Sequence, residues 1–162
     1  MSRWFLLTVY ALAAGPLTWK EESMNEPHER VAKGTFEVKI APLAQDGLTQ
    51  DAKLGRMSID KVFQGDISGE GKGMMLTAMT EVKGSAGYVA IEKVTGTVHG
   101  KTGTFVLQHS ATMSGAGQVM DIIVVPDSGT GELAGIQGQF RILIEDGKHF
   151  YEFVYKLAAA GD

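Results

Sequence analysis

The chain contains no cysteine, which excludes disulfide frameworks, thiolate metal sites and thiol nucleophiles. Proline is scarce, with four in 162 residues, so the sequence is not a Pro-rich linker or low-complexity tract. Basic residues are not in excess. Fifteen Lys and Arg against nineteen Asp and Glu leave a net charge of −4, which argues against a nucleic-acid-binding surface. The apolar runs fall short of the roughly 20 residues that span a bilayer as a helix, so no membrane span is expected. The four histidines lack ligand spacing such as HxxxH, and no serine sits in a nucleophile elbow. Neither a metal nor a cofactor is therefore expected.

What is abundant is glycine, 21 of 162 residues, or about 13% against a usual 7%. With 44% apolar and 21% charged residues, this describes one folded domain with many turns or strand bends.

Residues 1–23 form a leader unlike the rest. Ser2 and Arg3 precede the apolar Trp4 to Tyr10, and Ala11-Leu12-Ala13 offers small residues where a signal peptidase cuts. It reads as translated sequence upstream of a start at Met24, as an export signal, or as a native N-terminal element. The expected location is cytoplasmic, or exported if the leader is a signal. Residues 24–32 read as a flexible lead-in, and 33–158 as the domain.

From Lys33 the hydrophobic period is two. Phe36, Val38 and Ile40 alternate with Thr35, Glu37 and Lys39, the pattern of a half-buried strand. Further strands are predicted over 53–63, 74–82, 89–98, 104–113, 119–125, 137–145 and 149–157, eight in all. No stretch between them holds a crossover helix, so the strands form an antiparallel meander. The predicted fold is all-β, a single closed eight-stranded antiparallel meander barrel in which closure removes the edge strands. Gly96, Gly135 and Gly138 suit its sharp coiling.

Two hairpins can be registered from their turns. Asp146-Gly147 pairs Glu145 with Lys148, Arg141 with Glu152, Ile142 with Tyr151 and Phe140 with Phe153. A four-residue turn at Gly100 to Gly103 pairs Val98 with Phe105 and Gly96 with Leu107. Ala90, Glu92, Val94, Val98, Phe105, Leu107, His109, Ala111 and Met113 then face inward, which brings Glu92 and His109 within hydrogen-bond reach on adjacent strands. Lys61 shares the inward parity of Met57, Ile59 and Phe63.

These segments also carry a resemblance. Gly55-Arg56-Met57-Ser58-Ile59-Asp60-Lys61, Val82 to Glu92, Thr104 to Ser110, Val124 to Leu133, and Gly147-Lys148-His149 with Tyr151-Glu152-Phe153 resemble the bacterial domain-of-unknown-function 3224 family. The likeness covers nearly all of Lys33 to Leu157. It implies an eight-stranded barrel of the allene oxide cyclase type and a family without an assigned activity. Plant allene oxide cyclase and bacterial polyketide cyclases hold a reactive apolar substrate in such a lumen, a kinship of fold and not of chemistry.

A carboxylate in an apolar lumen must be paired or protonated. Glu92, His109 and Lys61 therefore read either as a polar network that sets strand register or as an acid/base pair with a ligand contact. Tyr88, Tyr151 and Tyr155 are core or rim aromatics or ligand contacts, His149 a rim residue, and His28 and His99 solvated. Gly69 to Gly73 reads as a flexible hairpin, and Pro126 to Gly131 as a turn cluster with a potential role as a lid.

The function expected is small-molecule binding in a lumen lined by Lys61, Tyr88, Met57, Ile59, Phe63, Met113, Met120, Phe140, Tyr151, Phe153 and Tyr155, for an apolar or lipid-like ligand. The alternatives are a cyclase or isomerase using Glu92 and His109, and a non-catalytic interaction barrel, with or without self-association.

Overall fold

The computed structural model describes residues 28–52 and 54–157; the leader, residues 24–27 of the lead-in and residue 158 lie outside the described residues. Eight strands, β1 (Arg30–Pro42), β2 (Gly55–Gly65), β3 (Ile67–Met79), β4 (Ala86–Val98), β5 (Lys101–Ser114), β6 (Gly117–Val124), β7 (Gln137–Glu145) and β8 (Lys148–Lys156), follow one another around a closed barrel. Each pairs antiparallel with the next, and β8 returns to β1. Closure starts before the alternating run. Arg30, Val31 and Ala32, placed in the lead-in by sequence, pair with Tyr155, Val154 and Phe153.

Two ends can be told apart. The mouth carries the β1–β2, β3–β4, β5–β6 and β7–β8 connections, and the base carries the others together with the start of β1 and the end of β8. At the mouth, the β1–β2 connection holds a five-residue helix, α1 (Gly47–Asp51), which the sequence did not announce. Its N-terminus is closed by a reciprocal Asp46 and Thr49 capping pair. At the base, the loop after β6 folds into a short turn of helix at 131–133 and buries Leu133 and Ile136. The Pro126 to Gly131 turn cluster thus belongs to the closure of the base.

The base half is packed solid with aromatic rings. Phe105 stacks on Phe153 at 5.5 Å, Phe153 on Tyr155 at 5.1 Å and Phe140 on Tyr151 at 5.4 Å, with Phe63 edge-on to Tyr151 at 5.8 Å. The Tyr151 hydroxyl accepts a hydrogen bond from the Ile67 backbone N–H at 2.7 Å, which ties β8 to β3 across the lumen. His99, expected in solvent, stacks on Tyr155 and lies 2.8 Å by Nδ1 from its hydroxyl. A buried phenol needs a partner, and the turn residue beside it supplies one.

The register of the last hairpin is as the Asp146-Gly147 turn predicts, from Glu145 opposite Lys148 to Phe140 opposite Phe153. That of the β4–β5 hairpin is not. Its turn is the two residues His99 and Gly100, at φ 47° and 78°, so Phe105 faces Val94 and not Val98. Two successive positive φ values mark a type I′ turn, for which histidine is an unusual first residue. The displacement is four residues, an even number, so every side chain keeps the face assigned to it.

The third strand departs furthest from expectation. Gly69 to Gly73 is not a hairpin but the middle of β3, which runs from Ile67 to Met79 and not from 74 to 82. Gly69, Gly71 and Gly73 take the inward positions while Glu70 and Lys72 face outward. The alternation is present, but its inner members have no side chains.

Candidate functional site

The glycine stripe makes room for charge. Gly71 lies opposite Lys61 on β2, and Gly73 opposite Glu92 on β4. Lys61 and Glu92 are thus separated by a whole strand, about 10 Å at the spacing of a sheet. Lys61 nevertheless donates from Nζ to Glu92 Oε2 at 2.7 Å. A methyl group on Gly71 would run into the Glu92 carboxylate. All three charged or polar residues are deep inside: Lys61 is 5% exposed, Glu92 0% and His109 3%. The rings of Phe36 and Phe63 face the ammonium at 4.9 and 5.8 Å and stabilise it by cation–π attraction.

His109 completes the group from β5. It is paired with Ala90, which places it diagonal to Glu92, and its Nε2 lies 3.0 Å from the same Oε2 that Lys61 holds. The approach is too oblique for a well-formed hydrogen bond, and Glu92 Oε1 has no hydrogen-bond partner among the described residues. Burial by itself raises the carboxyl pKa. The nearby His109 ring and the Lys61 ammonium outweigh it and hold Glu92 below its ordinary 4.5. Glu92 is therefore an ionised group in a buried site, kept so by its neighbours.

Toward the mouth the wall becomes small and then flexible. The next inward residues are Ile59 on β2, Gly73 on β3, Ala90 on β4 and Ala111 on β5, followed by Met57, Met75, Tyr88 and Met113, with Met120 on β6. Ile59, Met75 and Ala90 form a small buried cluster against which Val38, Met57 and Tyr88 pack. Tyr88, Met57, Met113 and Met120 are only partly buried. Burial raises the Tyr88 phenol pKa above 10.0, and the Glu92 charge adds to the shift. Methionines and one tyrosine over small residues form a wall that can move aside.

The residues singled out by sequence thus fall into two groups. Lys61, Glu92 and His109 meet, and Met57, Tyr88 and Met113 stand on the mouth side of them. Phe63, Phe140, Tyr151 and Tyr155 lie in the packed base half, largely against one another. His149 stands at the mouth end of β8 against Phe36, ring centres 5.1 Å apart. Sequence reasoning missed Gly71, Gly73 and Met75. The signal was there in the strict alternation of glycine with Glu70 and Lys72, which reads as a strand once glycine is allowed an inward place. Among the described residues no group of three His, Asp or Glu side chains could hold a metal ion, and no helix is long and apolar enough to cross a membrane.

Comparison with known proteins bears on the family and the fold. Residues 32–155 match the family model described as "Protein of unknown function (DUF3224)". A crystal structure of a protein with unknown function from the same family, from Shewanella oneidensis MR-1, is 45% identical with a TM-score of 0.74, over 82% of this chain and 100% of that one. No curated protein matches. Neither match speaks to the allene oxide cyclase likeness. With the family model spanning nearly the whole barrel, the chain belongs to the DUF3224 family.

Proposed function

We propose that the mouth half of the lumen binds a small apolar molecule above the Lys61, Glu92 and His109 group. One observation carries this. The barrel is filled by aromatic rings at its base, whereas on the mouth side of the buried charges Gly73, Ala90 and Ala111 stand beside a smaller cluster of Ile59, Met75 and Val38 under a movable rim that includes Met57 and Met113. An eight-stranded barrel has room to hold one small ligand where large side chains do not fill it. Small inward residues and methionines that can yield to a ligand would supply that room.

The acid/base alternative has narrower support. Glu92 and His109 are close enough to exchange a proton. However, Lys61 occupies the Glu92 oxygen that faces His109, and a carboxylate so clamped acts first as the partner of a buried cation. Binding is the better supported activity.

The test is a titration with 1-octanol of protein carrying ¹³C-methyl methionine, alongside native mass spectrometry of the purified protein for a retained compound. Shifts of the Met57 and Met113 methyl signals, with outward-facing Met74 unmoved, are the expected result. Shifts confined to Met74, or none, would overturn lumen binding.

A further inference from the structure

We propose that the seam between β6 and β7 is a binding cleft for a free medium-chain carboxylic acid, its tail directed inward past Met120 and Ile142 and its carboxylate paired with Arg141. This deepens the lumen binding above and rests on it. The observation that leads here is a broken ladder. Every other neighbouring pair of strands is joined over seven or more residue pairs, whereas β6 and β7 are joined at Ile123 and Gln139 alone. Continued toward the mouth, that register would set Asp121 opposite Arg141 and Val119 opposite Leu143. Neither pair forms.

The strands splay around a cleft of about 410 Å³. Its lining mixes the two faces of the wall. Met120, Phe140 and Ile142 belong to the inward face, and Gln139, Arg141 and Leu143 to the outward one. The cleft therefore passes between strands from solvent toward the lumen. The unpaired strand edges leave the cleft open between them.

Arg141 supplies the polar end. Its cross-strand partner Glu152 is held by Lys33 at 2.9 Å, and Asp121 accepts instead from Gln139 Nε2 at 3.1 Å. Arg141 itself makes no ion pair among the described residues. Glu152, also on the cleft, has its charge offset by Lys33, so the lip presents a guanidinium over apolar side chains. The planar fork of arginine suits a carboxylate, and a neutral alcohol of equal length would lack that contact.

The experiment compares sodium octanoate with 1-octanol on ¹³C-methyl methionine protein, wild type and Arg141→Gln, at low salt. Octanoate should shift the Met120 methyl signal and bind about tenfold more tightly than octanol, roughly the gain of one charge-assisted contact. Arg141→Gln should abolish that preference and leave octanol affinity unchanged. Because the chain has no cysteine, Val119→Cys with Leu143→Cys should close the seam by a single disulfide, suppress the octanoate shift at Met120 and release it on reduction. Equal octanoate affinity in wild type and Arg141→Gln, or shifts at Met57 and Met113 without Met120, overturns the seam while lumen binding stands. Shifts only at Met74 or at no methionine overturn both.

Discussion

Lys61 bonds to Glu92 across an intervening strand, Nζ to Oε2 at 2.7 Å, over a position where that strand carries glycine. Three strands are thereby joined by one ion pair, and His109 adds the fourth. Breaking such a buried pair costs more than the pair itself contributes, because the charge left behind has no water.

The glycine beneath the bridge is the most direct place to test this. Gly71→Ala should destabilise the fold by about 1–3 kcal/mol, the usual cost of overpacking, since its methyl would displace the Glu92 carboxylate. Gly115→Ala, with nothing within 4 Å and no positive φ, should be close to neutral. Urea unfolding of both variants gives the comparison, and equal midpoints would show that Glu92 can move at no cost.

Acid should undo the network. The folded-state pKa of Glu92 lies below its ordinary 4.5, so its contribution is fully present above about that pH and lost as pH falls through the lower, folded value. Glu92→Gln should lower stability at pH 7 by roughly 3–5 kcal/mol, leaving Lys61 unpaired. It should also flatten the decline of stability below pH 4.5. Adding Lys61→Met should recover part of the loss, in a double-mutant cycle read by urea unfolding at pH 7 and pH 3.

Tyr88 reports on the same charge from the mouth side. Its phenol should titrate above 10.0 in the native protein, through burial first and Glu92 second. Glu92→Gln should bring it down part of the way, as followed by the ¹³C ring resonances of Tyr88. An unmoved titration would mean that the carboxylate is not ionised when Tyr88 is.

On the outer surface the two cations beside Glu152 should differ little in stability. Lys33 at 2.9 Å holds the carboxylate below 4.5, with Arg141 a lesser influence. Both are exposed, so Lys33→Ala and Arg141→Ala should each cost no more than about 1 kcal/mol in thermal or urea unfolding. A loss above about 3 kcal/mol for either would contradict its position in water.

Which face each residue occupies could be read along the chain, because a strand of period two assigns faces without knowing its partner. Glu92, His109 and Lys61 were inward on that ground alone, and Asp146-Gly147 set the last hairpin because that dipeptide favours one turn geometry. The glycine stripe of β3 escaped the same logic, since an inward residue without a side chain leaves no hydrophobic mark. The β4–β5 register escaped it too, because an even shift preserves faces and His99 at φ 47° is an unlabelled turn former. Tertiary structure decided the rest. Closure of β1 on β8 brought Lys33 to Glu152 and left Arg141 without it, and the β6–β7 ladder stopped after one pair. Local sequence dictates the direction of a side chain through backbone geometry. Which distant groups it meets depends on how strands from the whole chain are brought around to one another.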